Sequence, residues 1–140
     1  MGGRASERIL LVEDDPDARD EMAWLLRREG YDVVAVGDGQ EALEMVRRET
    51  PALILLDLMM PVMDGFEFRV RQMQDPALAG IPIIVLSGGW DVQRKAATLG
   101  ASACLQKPVD PSRLLAMVGA SGMAPAARGR AGDARAPEGA

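Results

Sequence analysis

Leu53-Ile54-Leu55-Leu56-Asp57-Leu58-Met59-Met60-Pro61-Val62-Met63-Asp64-Gly65 is an unbroken apolar run that ends in one carboxylate and then breaks into a Pro/Gly turn. Leu and Ile without polar alternation predict a strand covered on both faces, as in a parallel sheet between helices. Asp57 then falls at the strand's carboxyl end, where open α/β sheets place their ligands. An Asp in that place can also cap the next helix. Here Asp64, with Glu67 three residues on, already fills that role and leaves Asp57 over.

Working outward, strand and helix signals alternate. Arg8 to Val12 reads as a short buried strand ending in Glu13, Asp14 and Asp15. Asp15-Pro16 starts a helix with Asp15 as N-cap and Pro16 at its first position, Ala18, Met22, Leu25 and Leu26 form its apolar stripe, and Gly30 stops it. Trp24 falls off the stripe and is expected to be partly exposed. Asp32 to Val36 is the second strand, and Asp38 with Glu41 has the capping-box spacing for a helix whose buried face is Ala42, Leu43 and Val46.

After Asp64, the recurrence of Phe66, Val70 and Met73 predicts a third helix, closed by Asp75-Pro76. Ile81 to Leu86 is the fourth strand and runs into Ser87-Gly88-Gly89-Trp90. Val92, Ala96 and Leu99 stripe a fourth helix stopped by Gly100. Ala103 to Gln106 is the fifth strand, ended by Lys107-Pro108, and Asp110-Pro111 opens a last helix with Leu114, Leu115 and Val118 inside. The expected fold is an α/β (βα)5 doubly wound parallel five-stranded sheet of flavodoxin-like type, strand order 2-1-3-4-5. Residues 1–7 are expected to be a flexible N-terminus and 8–119 the folded domain. Residues 120–140 are expected to be a disordered Ala/Gly/Pro-rich tail, since 16 of the 22 residues from Gly119 onward are Ala, Gly, Pro or Ser. On this reading no room is left for an output domain.

Composition narrows the chemistry. The net charge of -5 argues against a nucleic-acid surface. There is no histidine, which excludes a Ser-His-Asp triad, a His-ligated metal and a phosphohistidine on this chain. One cysteine, Cys104, allows no internal disulfide and is read as a small buried apolar residue. No apolar stretch approaches the ~18 residues of a membrane span, and no export signal is read, so a cytoplasmic location is expected.

In a parallel sheet the strand ends share one edge. That edge collects Glu13, Asp14 and Asp15 after the first strand, Asp57 after the third, Ser87 after the fourth and Lys107 after the fifth. Asp15 is read as an N-cap rather than a ligand. Adjacent carboxylates repel unless a cation sits among them, and hard oxygen donors suit Mg²⁺ completed by a phosphoryl oxygen. The chemistry this predicts is phosphoryl transfer.

Val12-Glu13-Asp14-Asp15, Asp57 within Asp57-Leu58-Met59-Met60-Pro61-Val62-Met63-Asp64-Gly65, Ser87-Gly88 and Lys107-Pro108 together resemble the CheY-like receiver domain of two-component response regulators, of single-domain type, over roughly residues 7–119. The resemblance implies that Asp57 is the phosphoacceptor. It also implies that Asp14 binds Mg²⁺ directly, that Glu13 acts through a metal-bound water, and that the Met59 backbone carbonyl and Asp57 complete the ligand set. Ser87 would hydrogen-bond the phosphoryl group, Lys107 would pair with it, and the Lys107-Pro108 bond would be cis. The implied partners are a sensor histidine kinase or phosphotransfer protein as donor and a downstream protein target, reached through the face of the fourth and fifth helices, where a homodimer could also form.

Such a domain is a signalling device rather than an enzyme. The family's usual aromatic residue three before the lysine is replaced by Cys104, so activation is expected to work through the loop from Ser87 to Trp90. Competing readings are a phosphorylation-independent scaffold, a receiver segment of a larger hybrid kinase, an aspartate-nucleophile phosphatase and a DNA-binding regulator. The phosphatase lacks its second Asp, because position 59 is Met, and no helix-turn-helix follows residue 119.

Overall fold

The computed structural model describes residues 7–60, 62–89 and 91–123. The expectations for residues 1–6, Pro61, Trp90 and 124–140 lie outside them. Five strands, β1 (Ile9–Val12), β2 (Val33–Val36), β3 (Leu53–Asp57), β4 (Ile83–Ser87) and β5 (Ala103–Gln106), alternate with five helices, α1 (Pro16–Arg28), α2 (Gly39–Arg48), α3 (Gly65–Met73), α4 (Val92–Leu99) and α5 (Pro111–Ala120). All neighbouring strands pair in parallel, in the order β2-β1-β3-β4-β5.

The unalternating strands have the predicted cause. Leu10, Val12, Ile54, Leu56, Ile83 and Val85 face one core together with Ala42 and Val46 of α2, Phe68 of α3 and Ala96 of α4. Ile9, Leu11, Leu53, Leu55, Ile84 and Leu86 face the other with Leu26 of α1 and Leu114 of α5. Successive residues point to opposite faces, so a sheet roofed on both sides must be apolar at every position.

The helix starts also follow the sequence. Asp15, Asp38 and Asp64 each accept a hydrogen bond from the backbone N–H three residues on, and Asp110 accepts one from Ser112. Gly30 and Gly100 follow α1 and α4 at φ 95° and 68°, where a Cβ would be strained. Trp24 is exposed, with the Arg28 guanidinium 4.7 Å over its ring.

Two expectations are corrected. On α3 the predicted stripe of Phe66, Val70 and Met73 is not the buried face, since Val70 and Met73 are about half exposed. The buried side carries Gly65, Phe68, Arg69 and Gln72. Arg69 donates to the Leu99 and Gly100 carbonyls and to Gln72 Oε1 at 2.8–3.1 Å, and Gln72 Nε2 donates to the carbonyls of Leu78 and Ile81. Polar side chains that satisfy loop carbonyls displace apolar ones from the inner face. At the other end the fold runs past 119, for α5 continues to Ala120 and Met123 packs into the α1/α5 core.

Candidate functional site

Strand register decides which side chains meet. Asp57 ends β3 opposite Leu86, and Ser87 ends β4 opposite Gln106. Lys107 N–H donates to the Ser87 carbonyl at 2.8 Å, so the lysine begins its excursion beside the serine. The Lys107-Pro108 bond is cis, as expected. Gly65 at the start of α3 lies against the acceptor strand: a Cβ there would come within 2.8 Å of the Asp57 carbonyl and of Leu58 Cα.

The predicted residues converge on one cavity of about 390 Å³, lined by Glu13, Asp14, Asp15, Asp57, Met59, Ser87 and Lys107, with Gly88, Gly89 and Lys95. Glu13, Asp57 and Ser87 are buried. Lys107 Nζ lies 2.8 Å from Glu13 Oε1 and 3.3 Å from Asp57 Oδ2, and donates to Glu13 Oε2 at 3.1 Å. The Met59 N–H donates to Asp57 Oδ1 at 3.2 Å, and the Gly89 N–H to Ser87 Oγ at 3.3 Å. Asp15 is an N-cap, as expected from the sequence, and its N–H donates to Glu13 Oε2. Arg19, one turn into α1, fixes the Glu13 carbonyl at 3.0 Å.

The electrostatics are unbalanced. Burial, and then the charge of Glu13, push the Asp57 carboxyl up to about 7, against the pull of Lys107 and the Met59 N–H. Burial alone would lower the Lys107 ammonium, but its pairing with Glu13 and Asp57 outweighs this and raises it. Glu13 Oε1, though close to the lysine, accepts no well-aligned hydrogen bond. One oxygen each from Glu13, Asp14 and Asp57 can lie within 4.8 Å of one another. An under-satisfied, net-negative set of hard oxygens fits Mg²⁺.

The profile of the response regulator receiver domain family matches residues 9–119. The chain belongs to that family. This receiver domain is 40% identical over 115 residues to the DNA-binding response regulator MtrA of Mycolicibacterium smegmatis, a match covering 80% of this chain and 49% of that protein. It therefore spans about half the length of that relative. It is 39% identical over 112 residues to an uncharacterized 14.6 kDa protein of Leptolyngbya boryana, covering 79% of this chain and 86% of the relative. Among solved structures it superposes on the chemotaxis response regulator CheY4 of Vibrio cholerae with a TM-score of 0.75 at 30% identity, over 81% of this chain and 97% of that one.

The receiver domain is a signalling module of two-component systems rather than a classical enzyme. Among the described residues no helix is long and apolar enough to cross a membrane. Cys104 is half-buried at the edge of the α2/α3/α4 core. Sequence reasoning brought together Glu13, Asp14, Asp57, Met59, Ser87 and Lys107. It missed Lys95, whose helical position gives no sign that its side chain reaches the cavity.

Proposed function

We propose that this receiver domain accepts a phosphoryl group on Asp57 from a phosphohistidine of a partner kinase or phosphotransfer protein, and signals by changing its affinity for a downstream protein. The observation that carries the reading is the placement of the buried Asp57 carboxylate 3.3 Å from the Lys107 ammonium, within an acid cluster open to a cavity.

In the transfer, an Asp57 Oδ forms the new O–P bond while the donor's N–P bond breaks, and the electron pair returns to the donor imidazole nitrogen. Lys107 offsets the charge brought in by the phosphoryl oxygens. The Ser87 hydroxyl, already held by the Gly89 N–H, is aimed to hydrogen-bond one of them. The Met59 N–H and Lys107 hold the acceptor carboxylate in one orientation, which matters because this chemistry relies on positioning and charge. Asp14, Asp57 and the Met59 carbonyl, with Glu13 behind them, would hold Mg²⁺. Bound there, Mg²⁺ supplies charge neutralisation for the carboxylates and the phosphoryl group. Burial and the Glu13 charge, which otherwise oppose ionisation of the acceptor, are the reason a cation is needed.

The donor must lie outside this chain, which has no histidine. A cytoplasmic receiver reading out through α4 and α5 to a protein partner or to a second copy is the signalling route that goes with this reading.

Incubation with acetyl phosphate and Mg²⁺ tests it. A mass increase of one phosphoryl group is expected on the wild type, lost in Asp57→Asn and in EDTA. An unmodified wild type, or equal labelling of Asp57→Asn, would sink the proposal.

A further inference from the structure

The chain carries 16 lysines and arginines, and only two of them are lysines, Lys95 and Lys107. Both line the acidic cavity. Arginine serves at every other basic position, including the surface pairs of Arg8 with Glu49 and Arg71 with Glu67. Lysine differs from arginine in being a compact point charge with three donors on a flexible stem, which suits a narrow anionic site.

Lys95 lies on α4, one turn past Asp91, and is only partly exposed. Its ammonium makes no ion pair among the described residues. It reaches over Gly89: a Cβ at 89 would meet Lys95 Nζ at 3.2 Å and Ser87 Oγ at 3.8 Å. The bare glycine therefore leaves the ammonium its room on the Ser87 side of the cavity. Gly89 has no need of glycine's backbone freedom, since its φ is not in the left-handed range.

We infer that Lys95 is a second phosphoryl-binding cation, which enters across Gly89 on the Ser87 side of the cavity and pairs with an oxygen of the incoming or bound phosphoryl group, opposite Lys107. Lys107 is committed to Glu13 and Asp57 before any phosphate arrives, whereas Lys95 holds its charge in reserve. The inference rests on the proposed function, because it needs a phosphoryl group at Asp57.

The test uses the full chain with Mg²⁺ and two probes, beryllofluoride for binding and phosphoramidate for the rate of labelling. Lys95→Met is expected to weaken beryllofluoride binding and to slow labelling at low phosphoramidate by about tenfold each, the size of one charge-assisted hydrogen bond. Lys95→Arg should recover part of the loss. Gly89→Ala should mimic the defect by crowding the ammonium, and the double variant should be little worse than Lys95→Met alone, because both changes remove one interaction. The labelling rate should also depend less on salt in Lys95→Met. Thermal unfolding of each variant with Mg²⁺ checks that the fold is kept. Binding and labelling of folded Lys95→Met within twofold of wild type would overturn the inference while leaving Asp57 as acceptor. A wild type that takes up neither probe would instead overturn the proposed function itself.

Discussion

Lys107 is held closer to Glu13 than to Asp57, with its Nζ 2.8 Å from Glu13 Oε1 and 3.3 Å from Asp57 Oδ2. The lysine thus does a structural task before any signalling one: it neutralises a fully buried glutamate. Lys107→Met, which keeps the stem and removes the charge, leaves two buried carboxylates without their cation. Without divalent ions it should lose about 2–3 kcal/mol of unfolding free energy in urea titrations, less than for a fully buried pair because the lysine is partly exposed. Mg²⁺ should restore part of the loss. Unchanged stability in EDTA would contradict the pairing.

Asp57 gives the opposite sign. Its carboxyl is raised to about 7 by burial and by Glu13, so the folded state favours the protonated form. That advantage is complete below the ordinary value of 3.8 and is lost as pH rises through about 7. In EDTA, Asp57→Asn should therefore exceed wild type by ~1 kcal/mol or more near pH 8, roughly 4–8 °C in melting temperature. The gap should close toward pH 4. A variant less stable than wild type at pH 8 would show that the charge is not penalised.

The network of Arg69 and Gln72 on α3 predicts a defect separate from the site. Gln72→Leu removes the donor to the Leu78 and Ile81 carbonyls and the acceptor for Arg69. A loss of about 2–4 kcal/mol is expected, because buried groups are left unpaired. The labelling rate of the folded fraction with acetyl phosphate should not change. Urea titration and mass spectrometry on the same samples check both halves.

Val62, in the loop after β3, has φ 65° and is 79% exposed. A β-branched residue in the left-handed region is strained, and this one buries little in return. Val62→Asn should raise stability by roughly 0.5–1 kcal/mol, read as a higher melting temperature. A fall would mean that the valine makes a contact worth more than the strain.

Much of the site was legible because the signals are local and the topology is simple. An apolar run without alternation implies a two-sided sheet, and parallel strands bring Glu13, Asp14, Asp57, Ser87 and Lys107 to one edge whatever the helix details. The Asp caps at 15, 38, 64 and 110 are legible for the same reason, since each acts within three residues of itself.

What pattern reading could not reach depends on partners distant in the chain. The inner face of α3 was misread because Arg69 and Gln72 are satisfied by carbonyls of Leu99, Gly100, Leu78 and Ile81, which only the folded chain brings near. Lys95 reads as an ordinary polar helix residue until the packing of α4 turns it over Gly89.

By itself the amino-acid order determined the element sequence, the parallel sheet and the set of acids, hydroxyl and amine at its edge, because hydrophobic period and capping are near-neighbour effects. Tertiary structure alone decided that Lys107 attends first to Glu13, that Asp57 is hard to ionise without a cation, and that a second lysine faces the cavity. Distance, burial and field between residues far apart in the chain exist only once the strands are in register.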